Sequence, residues 1–215
     1  DKMEFPDAAT IEEQQPIYII NNIDSGDKGD SRDSLRSITL YGDINETMAT
    51  EVLQALLYFD HTSKEIVETK SGETMEINKP IKMYVSTHGG IVNEMFSILD
   101  VMDDIKNRCA IETIGLGKVM SAGVLLLASG TKGKRKIGRN CRVMLHSVMA
   151  GTGGTIFSME NELEEIKWIQ DSYIKCLASY TKLTAAKIRK ILKTQKDTYF
   201  SAEEAIKMGI ADEII

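Results

Sequence analysis

Two residues stand where nucleophilic chemistry can begin. Ser121 lies in Gly117-Lys-Val-Met-Ser-Ala-Gly123, where a glycine-broken loop meets the almost wholly apolar run Ser121 to Ser129, which reads as a buried helix. A helix start presents unpaired backbone N–H groups and the positive end of its dipole, which suits an oxyanion forming beside a nucleophile. Small Ala122 and Gly123 let a substrate backbone approach. The same position also suits a plain N-cap serine, and this segment by itself leaves both readings open. His146, one of three histidines, follows the apolar Val143-Met-Leu145 and precedes the glycine-rich Gly151-Thr-Gly-Gly154. A histidine leaving a strand for such a loop sits at a cleft edge, where a general base is useful, although a buried structural histidine fits equally well.

Gly89-Gly90 follows a strand and precedes a helix, so its N–H groups can face a ligand with no Cβ in the way, or can simply turn the chain. Other chemistries fail on spacing. GxSxG would need glycine at 119, which is Val119. Neither Gly115-Leu-Gly117 nor Gly130-Thr-Lys-Gly133 completes a dinucleotide or Walker motif. The aspartates of 24–33 recur every third residue rather than at the alternate positions of a calcium loop. The basic run Lys132 to Arg139 lacks interleaved aromatics and reads as a solvated turn, so no nucleic-acid partner is expected. Cys109, Cys141 and Cys176 are odd in number and far apart, which argues against disulfides and a zinc site and for a reducing compartment. No metal or other cofactor is expected.

The elements that must position these residues alternate between strand and helix, the signature of an α/β fold. Ser37 to Tyr41 reads as a strand. Asn45 caps a helix with Met48, Val52, Leu56 and Phe59 on one face, and 61–79 reads as a hairpin or loop insertion. Ile81 to Val85 is a strand, followed by a helix striped by Met95, Ile98, Leu99, Met102 and Ile105. Ile111 to Ile114 is a strand that Gly115 and Gly117 are expected to break, and Arg142 to Leu145 is another. A long helix over 158–180 carries Met159, Leu163, Ile166, Ile169, Tyr173, Leu177 and Tyr180 at three- and four-residue steps. It exceeds what one small core requires, so packing on another subunit is expected. Ser201-Ala-Glu-Glu204 is a capping box for a final helix closed by Gly209.

The domain is expected to span 37–215. Residues 1–36 are expected to form a mobile arm, with a possible strand at Ile17 to Ile20, because 24–33 is too polar to order itself. The 215 residues carry a net charge of −6 with 42% apolar and 27% charged residues, enough to bury a core without staples. No 18-residue apolar run or secretory signal is present, so neither membrane insertion nor export is expected and the cytoplasm is the expected location.

From Ser37 to Ile215 the chain resembles the ClpP family, the proteolytic subunits of Clp proteases. Tyr84-Val-Ser-Thr-His-Gly-Gly90 is similar to that family's YINSPGG, Gly117-Lys-Val-Met-Ser-Ala-Gly123 to its GQAASMG, and Gly130-Thr-Lys-Gly-Lys-Arg135 to its AKGKR. Asn140-Cys-Arg-Val-Met-Leu-His146 is similar to NSRVMIH, Tyr199-Phe-Ser-Ala-Glu-Glu-Ala205 to FMSAEEA, and Gly209-Ile-Ala-Asp212 to GLVD. The resemblance implies a ClpP/crotonase-like superhelix of repeated strand-strand-helix units with a protruding handle helix. It further implies a serine endopeptidase with Ser121 as nucleophile and His146 as base. The N–H groups of Gly90 and Ala122 would form the oxyanion hole, with substrate paired between Ile91-Val92 and Val148-Met149. It also implies unfolded polypeptide substrates, an AAA+ Clp unfoldase partner, since this chain has no ATP-binding motif, and a homo-oligomer of two stacked heptameric rings. Two departures stand out. Ser86-Thr-His88 replaces Asn-Ser-Pro, which puts a second histidine near the cleft. Aligning back from Ser201 sets Lys193 on the family's catalytic aspartate, whereas Asp197, the one carboxylate between Thr181 and Ser201, becomes the triad acid if two residues are inserted. A non-catalytic ring subunit and a crotonase-type acyl-CoA enzyme are the competing readings.

Overall fold

The computed structural model describes residues 35–215 apart from Lys70, Thr152 and Gln195; the expected strand at Ile17 to Ile20 and nearly all of the expected arm lie outside the described residues. Apolar alternation in β1 (Ser37–Tyr41), β4 (Ile81–Thr87) and β5 (Ile111–Met120) yields a parallel sheet, with α1 (Glu46–His61) and α2 (Val92–Lys106) in the connections. Between α1 and β4 the expected insertion is an antiparallel hairpin, β2 (Lys64–Glu68) and β3 (Thr74–Asn78). The chain continues through α3 (Ala122–Ala128), β6 (Arg135–Ile137), β7 (Arg142–Leu145), α4 (Ile156–Tyr180), α5 (Ala185–Leu192), β8 (Thr198–Phe200), α6 (Ala202–Met208) and β9 (Glu213–Ile214). The main sheet runs β1-β4-β5-β6-β9, and a branch carries β7 beside the end of β5 and β8 antiparallel to β7.

The stripes read from the sequence for the helices before and after the hairpin, α1 and α2, are buried ones. Met48, Val52, Leu56 and Phe59 of α1 and all five stripe residues of α2 are at most 5% exposed, and every residue of α3 is buried. Asn45 caps α1 by accepting from the Met48 N–H, and Ser201 with Glu204 completes both halves of the capping box on α6.

Two expectations need correction. Gly115 and Gly117 do not end β5, which continues to Met120. Instead they mark a change of partner, with Thr113–Gly115 pairing β6 and Lys118–Met120 pairing β7. Gly117 takes φ 64°, a left-handed bend that a side chain disfavours, and a Cβ on Gly115 would come within 2.9 Å of the Leu127 side chain. The basic run is not simply a solvated turn either. Arg135 in β6 is 4% exposed, and its Nε and Nη2 donate to the two oxygens of Asp212 at 2.8 and 2.6 Å. The Asp212 carboxylate also accepts from the N–H groups of Gly133 and Arg135. These donors, the guanidinium foremost, hold its pKa below the ordinary carboxylate value.

Helix α4 starts at Ile156, two residues before the expected start, with Thr155 as its cap. Of its 25 residues only Tyr173, Ile174 and Leu177 are buried; Ile156, Phe157, Leu163 and Trp168 are exposed, so the first part of the helix stands off the body. Among the described residues no helix is long and apolar enough to cross a membrane.

Candidate active site

Ser121 is placed by the last residue pair of β5 and β7. Its N–H donates to the Met144 carbonyl at 2.9 Å, and its own carbonyl accepts from the Tyr173 hydroxyl at 2.9 Å. Between these anchors it adopts φ 53°, ψ −123°, the one positive φ outside glycine among the described residues. Such a conformation costs about 1–3 kcal/mol and persists only where the surroundings enforce it. Gly89 makes room for it, since a Cβ there would lie 2.6 Å from Ser121 Cβ. Although Ser121 occupies the N-cap position of α3, its side chain makes no capping bond. Its Oγ instead lies 2.8 Å from His146 Nε2. Burial pushes the Tyr173 phenol above its ordinary pKa, which keeps it a proton donor to the Ser121 carbonyl.

His146 leaves β7 one residue past Leu145, which pairs with Thr198 of antiparallel β8. The next pair outward is therefore His146 opposite Asp197, and the register itself brings these side chains together. His146 Nδ1 and Asp197 Oδ1 are 3.6 Å apart, an ion-pair distance but longer than a hydrogen bond, and Asp197 is half exposed. If Nε2 accepts the Ser121 proton, Nδ1 carries the ring proton and faces this carboxylate. Lys193, the alternative from alignment, is the C-cap residue of α5 and lines a separate groove with Leu163, Gln170 and Arg189.

Gly90, Ala122, Val92, Val148 and Met149 line one cleft with Ser121 and His146, and Ile91 lies on the adjoining groove. Gly90 and Ala122 both line the cleft beside Ser121, and their N–H groups have no acceptor among the described residues. Only glycine fits at position 90, where a Cβ would overlap the Ile44 carbonyl oxygen at 2.1 Å. Neither expected substrate edge is a strand: Ile91 is the N-cap of α2 and Val92 its first residue, and 148–151 is irregular. The Ile91 N–H is bonded to the Ile44 carbonyl and the Ile91 carbonyl accepts from the Met95 N–H, while the Val148 N–H donates to Gln170 Oε1. His88 does line the cleft, as its place before the glycine pair predicts. The sequence reading placed Tyr173 only in a helical stripe and missed it, Gln170 and Leu192 as neighbours of the cleft. The available signal was Tyr173 itself, because a tyrosine in a buried stripe needs a partner for its hydroxyl. Among the described residues no group of three or more His, Cys, Asp or Glu side chains can hold a metal ion.

A family model described as Clp protease matches residues 30–215. The chain belongs to this family. The match begins seven residues before the resemblance read from the motifs and runs to the same end, and the mostly parallel sheet with its helices agrees with the family's fold. Membership makes the chain ClpP-like and its family one of peptidases. Ser121, His146, Gly90 and Ala122 line a cleft that, among the described residues, takes in all the expected site residues except Ile91 and Asp197.

Proposed function

We propose that this chain is a serine endopeptidase that cleaves unfolded polypeptides. The observation that carries the reading is the Ser121 Oγ–His146 Nε2 distance of 2.8 Å at a serine held in a strained backbone conformation. His146 Nε2 takes the Ser121 proton as Oγ bonds to the scissile carbonyl carbon, and the displaced electron pair settles on the carbonyl oxygen between the Gly90 and Ala122 N–H groups. The intermediate collapses, the C–N bond breaks, and the imidazolium returns its proton to the leaving amine. Water, deprotonated by the same histidine, then hydrolyses the acyl-enzyme. Asp197 fixes the tautomer and stabilises the imidazolium once its 3.6 Å separation closes in the working complex; catalytic contacts are often loose without substrate.

The same reading includes a homo-oligomer of two stacked heptameric rings fed by an AAA+ Clp unfoldase. The exposed Ile156, Phe157, Leu163 and Trp168 of α4 support an assembly interface there, since large apolar side chains clustered on one element mark contact surfaces. A non-catalytic ring subunit is the competing reading, favoured by the long, half-exposed His146–Asp197 contact. Nothing in the cleft favours an acyl-CoA enzyme over a peptidase.

Hydrolysis of a fluorogenic peptide without nucleotide or metal, with a serine-directed phosphonate adduct mapped to Ser121, is the test. Ser121→Ala is expected to abolish the adduct and reduce turnover by up to about 10⁶-fold. Unchanged turnover in that variant, or a wild type that neither hydrolyses peptide nor takes the label as an assembled ring, overturns the catalytic reading.

A further inference from the structure

The segments Asp43-Ile-Asn45 and His88-Gly-Gly-Ile91 are clamped together, with the Ile44 N–H donating to the Gly89 carbonyl at 2.8 Å and the Ile91 N–H to the Ile44 carbonyl at 2.9 Å. This clamp sets Asp43 beside His88, Oδ1 to Nδ1 at 3.9 Å, on the wall of a groove that also takes in Asn93, Ile91 and Met149. His88 belongs to two cavities, since it lines both this groove and the Ser121 cleft, so the groove opens directly onto the reacting serine. Among the described residues Asp43 is the sole carboxylate lining either cavity, and His88, His146 and Tyr173 are the other titratable groups on their walls. Neither Asp43 oxygen accepts a hydrogen bond among the described residues, and 3.9 Å is too long for one from His88.

Resting on the peptidase reading of the neighbouring cleft, we propose that Asp43 and His88 form a subsite for a basic side chain of the substrate, lysine or arginine, one or two residues from the scissile bond. A lysine ammonium or arginine guanidinium offers only donors, which match the unoccupied acceptors of Asp43, and a guanidinium also stacks on the exposed imidazole of His88. The aliphatic stem of either side chain lies along Ile91 and Met149, which are 52% and 79% exposed. An acidic side chain meets the Asp43 charge with no lysine or arginine among the described residues of the groove wall to offset it.

The experiment uses a panel of peptides that differ only by Lys, Glu or Leu at each of the two positions on either side of the cleaved bond. Affinity is measured by fluorescence anisotropy on Ser121→Ala, which binds without turning over, and kcat/KM is measured on the wild type. At one position Lys is expected to be favoured over Glu by about tenfold at low ionic strength, the sum of one weak attraction and one weak repulsion, and the ratio falls as salt is raised. Adding Asp43→Asn reduces it to within about twofold and leaves the Leu peptide unchanged. Absence of discrimination at all four positions, its survival in Asp43→Asn, or failure of every peptide to bind overturns the subsite. Charge discrimination in binding to Ser121→Ala, with no hydrolysis by the wild type, sustains the subsite and removes the peptidase reading; hydrolysis without discrimination does the reverse.

Discussion

Two charge pairs in this molecule are built to opposite specifications. Arg135 is nearly out of solvent and the Asp212 side chain is a quarter exposed; they meet through two short charge-assisted bonds, and have their remaining capacity taken up by backbone N–H groups and by the carbonyls of Ala128 and Tyr180. His146 and Asp197 meet at 3.6 Å across the open end of the β7–β8 ladder, with the carboxylate half in water. The first pair has no slack, which suits a joint that ties β6 to the chain's C-terminal strand. The second retains freedom to tighten, which a group that must gain and lose a proton can use and a structural joint cannot.

The largest separation between them is expected in turnover. Asp197→Asn lowers kcat by roughly 10⁴-fold in a peptide assay with the melting temperature unmoved, because the amide cannot stabilise the imidazolium. Full activity in that variant makes His146–Asp197 a surface contact and the enzyme a dyad. Asp212→Asn is expected to do the converse. It removes the charge partner of the Arg135 guanidinium, which keeps the Ala128 and Tyr180 carbonyls, and costs about 1.5–3 kcal/mol of stability in urea titration, while activity per folded molecule is kept.

The pH dependence of that loss sharpens the contrast. Because the folded pKa of Asp212 is depressed, its contribution is complete above the unfolded carboxyl value of about 3.9 and is lost as pH falls through the lower folded value. The stability gap between wild type and Asp212→Asn is therefore expected to stay constant above about pH 5 and to narrow below about pH 4; a gap that widens in acid contradicts the assignment. The smallest effect belongs to Lys193→Ala, with stability within about 0.5 kcal/mol of wild type and turnover unchanged, as befits an exposed C-cap residue with no part in the Ser121 cleft.

The elements legible in the sequence were those whose stripe is long enough to show a period: α1, α2 and α3 read correctly because Met48 to Phe59, Met95 to Ile105 and Ala122 to Ala128 face one core. β6, β8 and β9 span three, three and two residues, too few for alternation to register, and are defined by partners far away in the chain. β5 misled because its glycines serve a change of strand partner, which no local pattern encodes. At the cleft, residue type beside glycine made Ser121 and His146 candidates but left a plain N-cap and a structural histidine open, and it was the family motifs that singled them out. The approach of Asp197 to His146 depends on the β7–β8 register, and the Tyr173 contact depends on how α4 lies against α3. Both are products of tertiary packing.

The β2–β3 hairpin has a consequence for how the molecule breathes. It is stitched to the body mainly at its base, by Lys79 N–H to the Ser63 carbonyl and Asn78 Nδ2 to the Arg108 carbonyl, while Ile66 and Met75 face solvent. An isolated pair of strands is marginal in water, and opening this one uncovers little new surface. Its amides are therefore set to exchange with deuterium through local fluctuations that denaturant scarcely accelerates. Those linking β4 to β5 must wait for an opening that exposes the core and grows steeply easier with urea.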